Sequence, residues 1–209
     1  MEMHYDVLRT CPLFAGIRKE DLASLLECLG ARTVAYPQKA AILSEGDVAR
    51  DMGIVLSGAA QIVRVDFFGN RSIVAALGAG ELFGESFACA GVESLPVDVV
   101  AWEDTQVLLL DCRRVLEPCS ASCGFHRQLL LNLMQVMARK NLAFHKKLEV
   151  VSRRSTREKL LTYLHQQAKQ SHSSSFTIPY DRQELADYLE VERSGLSAEI
   201  SRLRREGVL

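Results

Sequence analysis

The chain has 209 residues, of which 48% are hydrophobic and 24% are charged, and its formal net charge at pH 7 is −1. This size and composition predict one large or two modest globular domains with a substantial core, and the near-zero charge excludes a uniformly basic nucleic-acid-binding protein. The sequence contains no apolar run long enough to cross a membrane, and residues 1–10 lack a signal-peptide pattern. We therefore expect a cytoplasmic protein with no membrane partner.

The first half of the chain predicts a helical lead-in followed by a β-rich domain. Leucines at positions 22, 25, 26 and 29 recur at helical spacing, which predicts a helix within residues 5–30 that packs on the next domain. Residues 31–110 form short β-prone runs separated by Gly, Pro, Asn and Asp. They predict a compact antiparallel sandwich or barrel, with residues 68–70 (Phe-Gly-Asn) at a hairpin tip.

One long helix is predicted from Phe125 to Ser152. Apolar side chains recur along it at alternating spacings of three and four residues. The stripe consists of Leu130, Leu133, Met137, Phe144, Leu148 and Val151, with Asn141 among them. So narrow a stripe predicts a partner helix and hence a homodimer, in which Asn141 would fix the register. The alternative is that the helix packs only on its own domain.

The last part of the chain predicts a pair of short helices after a helix, a polar joint and a short strand. The preceding three segments are residues 153–170, 171–175 and 176–178. Asp181 can cap the first helix of the pair, and Glu184 can reach back to the cap's backbone N–H. The apolar face of that helix is Leu185, Ala186 and Leu189.

A second helix is predicted after a turn around Glu190 to Glu192. Its buried side should be Leu196, Ile200 and Leu203, and its outward side Arg193, Ser194, Ser197 and Arg202. Two short helices joined in this way predict a helix-turn-helix, whose polar second helix suits the major groove of DNA. The alternative is an ordinary helical hairpin with solvated charges.

Six cysteines are scattered along the chain, at positions 11, 28, 89, 112, 119 and 123, without a CxxC pair. Their spacing argues against a zinc ribbon and against a disulfide-stapled secreted domain. The spacing of Cys119 and Cys123 is compatible with a redox switch or with half of an iron–sulfur site. The alternative is that both are inert core thiols.

The sequence carries none of the motifs that would predict an enzyme. It has no HExxH, no phosphate-cradling GxxxxGK, and no βαβ setting around Gly78-Ala79-Gly80. Residues 31–110 contain no histidine, so a cupin-like metal site is not expected there either. We expect neither catalysis nor a bound metal or cofactor.

The order of β-roll, long helix and terminal helix-turn-helix resembles the CRP/FNR family of bacterial transcription regulators. The segments that carry the resemblance are residues 11–14 (CPLF), 45–47 (EGD), 54–58 (IVLSG) and 78–85 (GAGELFGE). It covers nearly the whole chain and implies an α+β fold with an antiparallel, jelly-roll-like β-roll, a dimerisation helix and a winged helix-turn-helix. The implied domains are 1–124, 125–152 and 153–209, with the wing truncated at Leu209.

The resemblance also implies an effector site. In the family the turn before Glu85 and the Glu itself flank the pocket, and nucleotide-binding members clamp the cyclic phosphate with an Arg-Ser or Arg-Thr pair about ten residues further on. Here Leu95 and Pro96 stand at the clamp, so cyclic AMP should bind weakly or not at all. The pocket implied is Gly84, Glu85, Ser86, Phe87, Leu95 and Pro96, which suits a small apolar or aromatic effector.

A homodimer on near-palindromic double-stranded DNA follows from the resemblance, with RNA polymerase as a further partner. Arg193 and Ser194 would contact base edges, Ser197 a base or phosphate, and Arg202 or Arg204 phosphates. Three alternatives stay open. They are a redox sensor, a haem or gas sensor with His4, His126 or Cys89 as axial ligand, and a dimer that senses without binding DNA.

Overall fold

The computed structural model describes residues 4–65, 67, 71–117, 124–178 and 180–209. The chain divides into two compact units, Met1–Arg139 and Lys140–Leu209. This division differs from the predicted boundaries at 124 and 152, because the longest helix contributes residues to both units. The predicted hairpin tip at residues 68–70 and the pair Cys119 and Cys123 lie outside the described residues.

The first unit contains an antiparallel sandwich of two sheets, as the short β-prone runs predict. The strands described are β1 (Arg32–Tyr36), β2 (Ala41–Leu43), β3 (Asp51–Ser57), β4 (Ala60–Val65), β5 (Arg71–Leu77), β6 (Leu82–Phe83), β7 (Asp98–Ala101) and β8 (Thr105–Asp111). One sheet has the order β1-β8-β3-β6, and the other has the order β2-β7-β4-β5. Strands β3 and β4, which are separated by only two residues in the chain, thus belong to different sheets.

The space between the sheets is filled by alternate side chains of facing strands. Val55, Phe83 and Val107 are fully buried there. Gly53 lies directly under the Phe83 ring, since a Cβ at position 53 would stand 2.1 Å from the Phe83 Cζ. The absence of a side chain at Gly53 is therefore what admits the Phe83 ring.

A second core lies between the first unit's helices and the outer face of one sheet. The helices with residues in this unit are α1 (Tyr5–Thr10), α2 (Lys19–Cys28), α3 (Glu85–Ala90), α4 (Cys112–Leu116) and α5 (Gly124–Val151), with a 3-10 turn at Pro12–Phe14. The four leucines of the lead-in are at most 2% exposed and pack in the same cluster as Met52 and Ile54 of β3. The packing predicted for the lead-in helix is confirmed.

The second unit is helical. It contains the end of α5, then α6 (Thr156–Ser171), α7 (Arg182–Leu189) and α8 (Arg193–Arg205), around a core that includes Val150, Leu160 and Tyr163. The predicted strand at residues 176–178 is wrong, because this segment has no regular secondary structure and pairs with no described strand. Across the described ranges, the helices are all too short or too polar to cross a membrane.

Candidate nucleic-acid interface and effector site

The start of α7 is fixed by a capping box. The Asp181 Oδ1 accepts from the Glu184 backbone N–H at 2.8 Å, and the Glu184 Oε2 accepts from the Asp181 N–H at 2.8 Å. At the other end, Glu190 has a left-handed backbone with φ of 53°. The Lys159 Nζ of α6 donates to the carbonyl oxygens of Leu189 and Glu190, at 3.1 and 3.2 Å. A cation at the carbonyl end of α7 stabilises the tight turn into α8.

Helix α8 has one buried side and one polar side, as the sequence predicts. Leu196 and Leu203 are fully buried and Ile200 is 9% exposed, so these three residues anchor the helix in the unit's core. The polar side includes the predicted residues Arg193, Ser194, Arg202 and Arg204, which are exposed, and Ser197, which is half-buried. A surface of this kind, held rigidly by a packed apolar side, is what direct contact with base edges needs.

Two further side chains share this surface although the sequence prediction omits them. Ser201 and Arg205 are exposed, and they lie seven and eleven residues after Ser194, which places all three on one face of the helix. The Ser201 Oγ donates to the Ser197 carbonyl oxygen at 2.9 Å. In the sequence, the helical spacing of Ser201 and Arg205 from Ser194 is the pattern that predicts this shared face.

Glu199 of α8 and Glu206, which directly follows the helix, are paired with arginines of the same unit. The Arg157 guanidinium binds the Glu199 Oε1 at 3.0 Å and the Glu206 Oε2 at 2.5 Å, and the Arg202 Nε lies 3.2 Å from the Glu206 Oε1. The bond to Arg157 is the main reason that the pKa of Glu206 is lowered below its ordinary value. Among the described residues, Arg193, Arg204 and Arg205 form no ion pair, so their charges remain available to phosphates.

Four of the predicted effector residues, Gly84 to Phe87, lie at a left-handed turn between β6 and α3. Gly84 has φ of 76° and precedes α3, whose first residue Glu85 is 2% exposed. The Ser86 Oγ donates to the Glu85 Oε1 at 3.4 Å. Leu95 is 2% exposed, Gly84 and Phe87 are half-buried, and Ser86 and Pro96 are exposed. The structure therefore places only Glu85 and Leu95 of the predicted set deep in the domain.

The backbone at Leu95 is held by the turn at residues 44–47. The Leu95 N–H donates to the Asp47 carbonyl oxygen at 2.8 Å, and the Gly46 N–H donates to the Leu95 carbonyl oxygen at 2.9 Å. The Glu45 N–H donates to the Asp98 Oδ1 at 2.7 Å. The backbone of Leu95 and the side-chain carboxylate of Asp98 are thus both hydrogen-bonded to the turn at residues 44–47.

Both units match known families. Residues 33–121 match the cyclic nucleotide-binding domain, and residues 158–209 match the Crp-like helix-turn-helix domain. The cyclic AMP receptor protein of Thermus thermophilus is 30% identical over 206 residues, which cover 97% of this chain and 89% of that protein. The chain belongs to the CRP/FNR family of transcription regulators. Its DNA-binding element is thus the α7–α8 helix-turn-helix.

Solved structures of CRP/FNR-like regulators have the same fold. The catabolite activator protein of Thermus thermophilus is 25% identical, with a TM-score of 0.53, over 94% of this chain and 88% of that one. The regulator CLP of Xanthomonas campestris is 18% identical, with a TM-score of 0.64, over 88% of this chain and 93% of that one. At that lower identity the likeness concerns the fold alone.

The three side chains named above as alternative haem ligands each contact another residue of the protein. The His4 Nε2 is 2.8 Å from the Gln106 Oε1, the His126 Nε2 donates to the Val115 carbonyl oxygen at 2.9 Å, and the Cys89 sulfur is 3.5 Å from that of Cys112. Over the described ranges, no three His, Cys, Asp or Glu side chains form a group that could hold a metal ion.

For one residue of the predicted dimer stripe on α5, Leu133, the prediction is wrong. Leu133 is 3% exposed and packs in the first unit's own core, so it is not available to a partner helix. Leu130 and Met137 are half-buried, whereas Asn141, Phe144 and Leu148 are exposed as the stripe requires. Three exposed apolar side chains that the stripe omitted are Leu131, Met134 and Leu142.

Proposed function

We propose that this CRP/FNR regulator is a homodimer that binds near-palindromic double-stranded DNA through α8 and responds to a small molecule other than a cyclic nucleotide. The observation that carries the DNA part is the exposed polar surface of α8, with Arg193, Arg204 and Arg205 outside any described ion pair. Arg193 and Ser194 would contact base edges, Ser197 would contact a base or a phosphate, and Arg202 or Arg204 would contact phosphates. A protein acting on DNA in this way would work in the cytoplasm.

The homodimer is supported by α5. Five apolar side chains on this helix are between 45% and 67% exposed: Leu131, Met134, Leu142, Phe144 and Leu148. Apolar surface repeated along a helix is stabilised by burial against a second helix. We propose a symmetric pair of α5 helices, with Asn141 in the seam setting the register. Two-fold symmetry in the protein would then require a near-palindromic operator.

The choice of effector rests on the clamp position. The Thermus relative is named for cyclic AMP, but here Leu95 and Pro96 offer no cation or hydroxyl to a cyclic phosphate. Each missing charge-assisted hydrogen bond is worth about 1.5–3 kcal/mol. The proposed effector is a small apolar or aromatic molecule near Glu85, Phe87 and Leu95, which would act by favouring one arrangement of the dimer. RNA polymerase is a partner proposed from the family alone.

Selection of binding sites from a pool of random duplexes tests the DNA part. We expect a recoverable near-palindromic consensus, and an affinity that falls steeply as the salt concentration rises. Binding without a consensus would favour a sensor or scaffold that has lost its operator. Equilibrium dialysis with cyclic AMP tests the effector part, and saturable binding at micromolar concentration would contradict it.

Native mass and absorbance spectra of anaerobically purified protein separate the remaining alternatives. We expect a colourless dimer that carries no stably retained haem or cluster. A Soret band or iron–sulfur absorption would instead assign the protein to gas or redox sensing.

A further inference from the structure

Two cysteines from separate parts of the first unit meet beside the effector turn. Cys89 lies on α3 and Cys112 is the first residue of α4, and their sulfur atoms are 3.5 Å apart. Cys112 is 3% exposed, whereas Cys89 is half-buried. Asp111 caps α4 through the Arg113 N–H at 2.9 Å, and the Cys112 N–H donates to the Arg50 carbonyl oxygen at 3.1 Å. The backbone beside the buried sulfur is thus held in place.

We propose that Cys89 and Cys112 are a redox site that closes reversibly to a disulfide when the protein meets a peroxide or a low-molecular-weight disulfide. The effector and DNA sites proposed above do not require this pair, so the inference goes beyond the proposed function. The cysteines that the sequence singled out for redox chemistry, Cys119 and Cys123, take no part in it.

The two thiols have different roles because their environments differ. The Cys89 and Cys112 sulfurs lie within hydrogen-bond distance of each other, and either thiol can be the donor. The bond to Cys112 lowers the pKa of Cys89 below its ordinary value, although burial opposes this shift. The same bond, together with burial, raises the pKa of Cys112. Since the thiolate is the reactive form, the more accessible Cys89 is the attacking residue and Cys112 the resolving one.

With hydrogen peroxide the reaction balances in two steps. The Cys89 thiolate attacks one peroxide oxygen, the O–O bond breaks, and hydroxide leaves to take up the proton that Cys89 released, giving a sulfenic acid and water. The Cys112 sulfur then attacks the Cys89 sulfur, the S–S bond forms, and the sulfenic hydroxyl leaves as water with the Cys112 proton. Two thiols are oxidised and one peroxide is reduced to two waters.

Closure requires a small movement and connects two functional segments. A disulfide has a sulfur–sulfur distance of about 2.05 Å, so the sulfurs would approach by about 1.5 Å. The bond would tie α3, which follows the Gly84 turn, to α4. Helix α4 is in turn tied to the first turns of α5 by the hydrogen bond from His126 to Val115. Oxidation would therefore fix the effector-flanking helix to the segment next to α5.

The test is a disulfide map of the reduced 209-residue chain after brief treatment with oxidised glutathione or hydrogen peroxide, with remaining thiols blocked. Trypsin leaves both cysteines in one peptide, residues 72–113, and cleavage after Glu93 and Glu103 separates them. We expect the peptides that contain Cys89 and Cys112 to stay joined until a reductant is added. The folded chain should lose two titratable thiols, and a reductant should restore both.

Variants distinguish a specific pair from random oxidation. Cys112→Ala should abolish the link and leave Cys89 as a sulfenic acid or a mixed disulfide, whereas Cys28→Ala and the double variant Cys119→Ser, Cys123→Ser should retain it. The same treatment in 8 M urea should lose the selectivity and scatter the links over the six cysteines. The proposal is overturned if Cys89 and Cys112 both stay reduced in the folded chain while other thiols react, or if either pairs elsewhere.

Discussion

Asn132 of α5 donates through its Nδ2 to the carbonyl oxygen of Leu13 at 2.9 Å, and the same nitrogen donates to the Ala15 carbonyl oxygen at 2.8 Å. Asn132 is 3% exposed, and its Oδ1 accepts from the Gln128 Nε2 at 2.9 Å. All the polar atoms of this buried side chain are thus used. The Cys-Pro-Leu-Phe segment at residues 11–14 is held to the long helix by a side chain that no packing pattern singles out.

Replacement of Asn132 by Leu should destabilise the first unit. The substitution keeps the number and branching of the side-chain heavy atoms but leaves two carbonyl oxygens unpaired, at about 1–3 kcal/mol for each buried group. Urea denaturation followed by circular dichroism measures the loss. Asn141→Leu is the matched control, because Asn141 is exposed on the same helix and its loss should not lower the stability of the protomer. Equal stability of the two variants would contradict the role assigned to Asn132.

Met134→Glu should dissociate the proposed dimer. Met134 is 67% exposed, and a carboxylate in the seam between two α5 helices would be desolvated opposite its own symmetry mate. Sedimentation velocity should show a shift from dimer to monomer at micromolar concentration. Arg139→Glu, which also adds a carboxylate on an exposed part of α5 but away from the stripe, should leave the dimer intact. A dimer that survives Met134→Glu would place the seam elsewhere.

Arg193→Ala and Arg204→Ala should affect DNA binding differently. Loss of a base contact at Arg193 should reduce the discrimination between operator and random DNA by about 1–3 kcal/mol. Loss of a phosphate contact at Arg204 should weaken binding to all sequences alike and reduce the salt slope by about one. Fluorescence anisotropy with both duplexes at several salt concentrations measures these effects. If each variant lost the same amount on both duplexes, neither role would stand.

Tyr163→Phe should stabilise the second unit. The ring is 1% exposed, and within the described part of the chain its hydroxyl has no hydrogen-bond partner. Removing an unsatisfied buried hydroxyl should add about 1 kcal/mol to the free energy of unfolding. Tyr180→Phe, the same change at a half-buried ring that neighbours Tyr163, is the control. A destabilised Tyr163→Phe protein would indicate a partner for the hydroxyl.

The same substitution should change how stability depends on pH. Burial raises the pKa of Tyr163 from 10.0 to about 12, so the folded state retains the proton that the unfolded state releases first. The stability that depends on this proton is complete below pH 10 and is lost as the pH rises toward about 12. Denaturation curves at pH 9 and pH 11 should therefore show a smaller fall for Tyr163→Phe than for the unmodified protein.

The rate at which Cys89 is alkylated should report its bond to Cys112. Because that bond lowers the pKa of Cys89, the reactive thiolate forms at a lower pH than in an ordinary cysteine. In Cys112→Ala the bond to Cys89 is lost, so the pH at which the rate is half-maximal should rise, and Cys28→Ala should leave it unchanged. Iodoacetamide labelling, quantified for each cysteine by mass spectrometry, measures the midpoint. An unchanged midpoint in Cys112→Ala would show that the bond has no influence on Cys89.

The parts of the structure that the sequence predicts well are those set by local rules. The side chains of Asp181 and Glu184 each accept a hydrogen bond from the other residue's backbone N–H within one helical turn. Leu196, Ile200 and Leu203 recur at helical spacing. Neither arrangement needs a distant contact. The predicted strand at 176–178 fails because a strand needs a partner, and the described residues supply none for this segment.

The parts that the sequence does not predict depend on tertiary structure. Around Leu131 to Met137 the helix α5 carries apolar residues on two faces, so spacing alone does not say that Leu133 turns inward and Met134 outward. Cys89 and Cys112 are 23 residues apart, with β7 and β8 between them. Only the fold of the sandwich brings their sulfurs together.

Arg157 of α6 influences the charge of α8 through two ion pairs. By pairing with Glu199 of α8 and with Glu206, which directly follows the helix, it serves as an internal counterion for two carboxylates of the segment proposed to meet DNA. Phosphates that approach α8 are then repelled less by its acidic side chains, while Arg193, Arg204 and Arg205 keep their full charge. Arg157 would thus contribute to the affinity for DNA of any sequence without contacting the DNA. The presence of this cation also limits which residues are tolerated at positions 199 and 206.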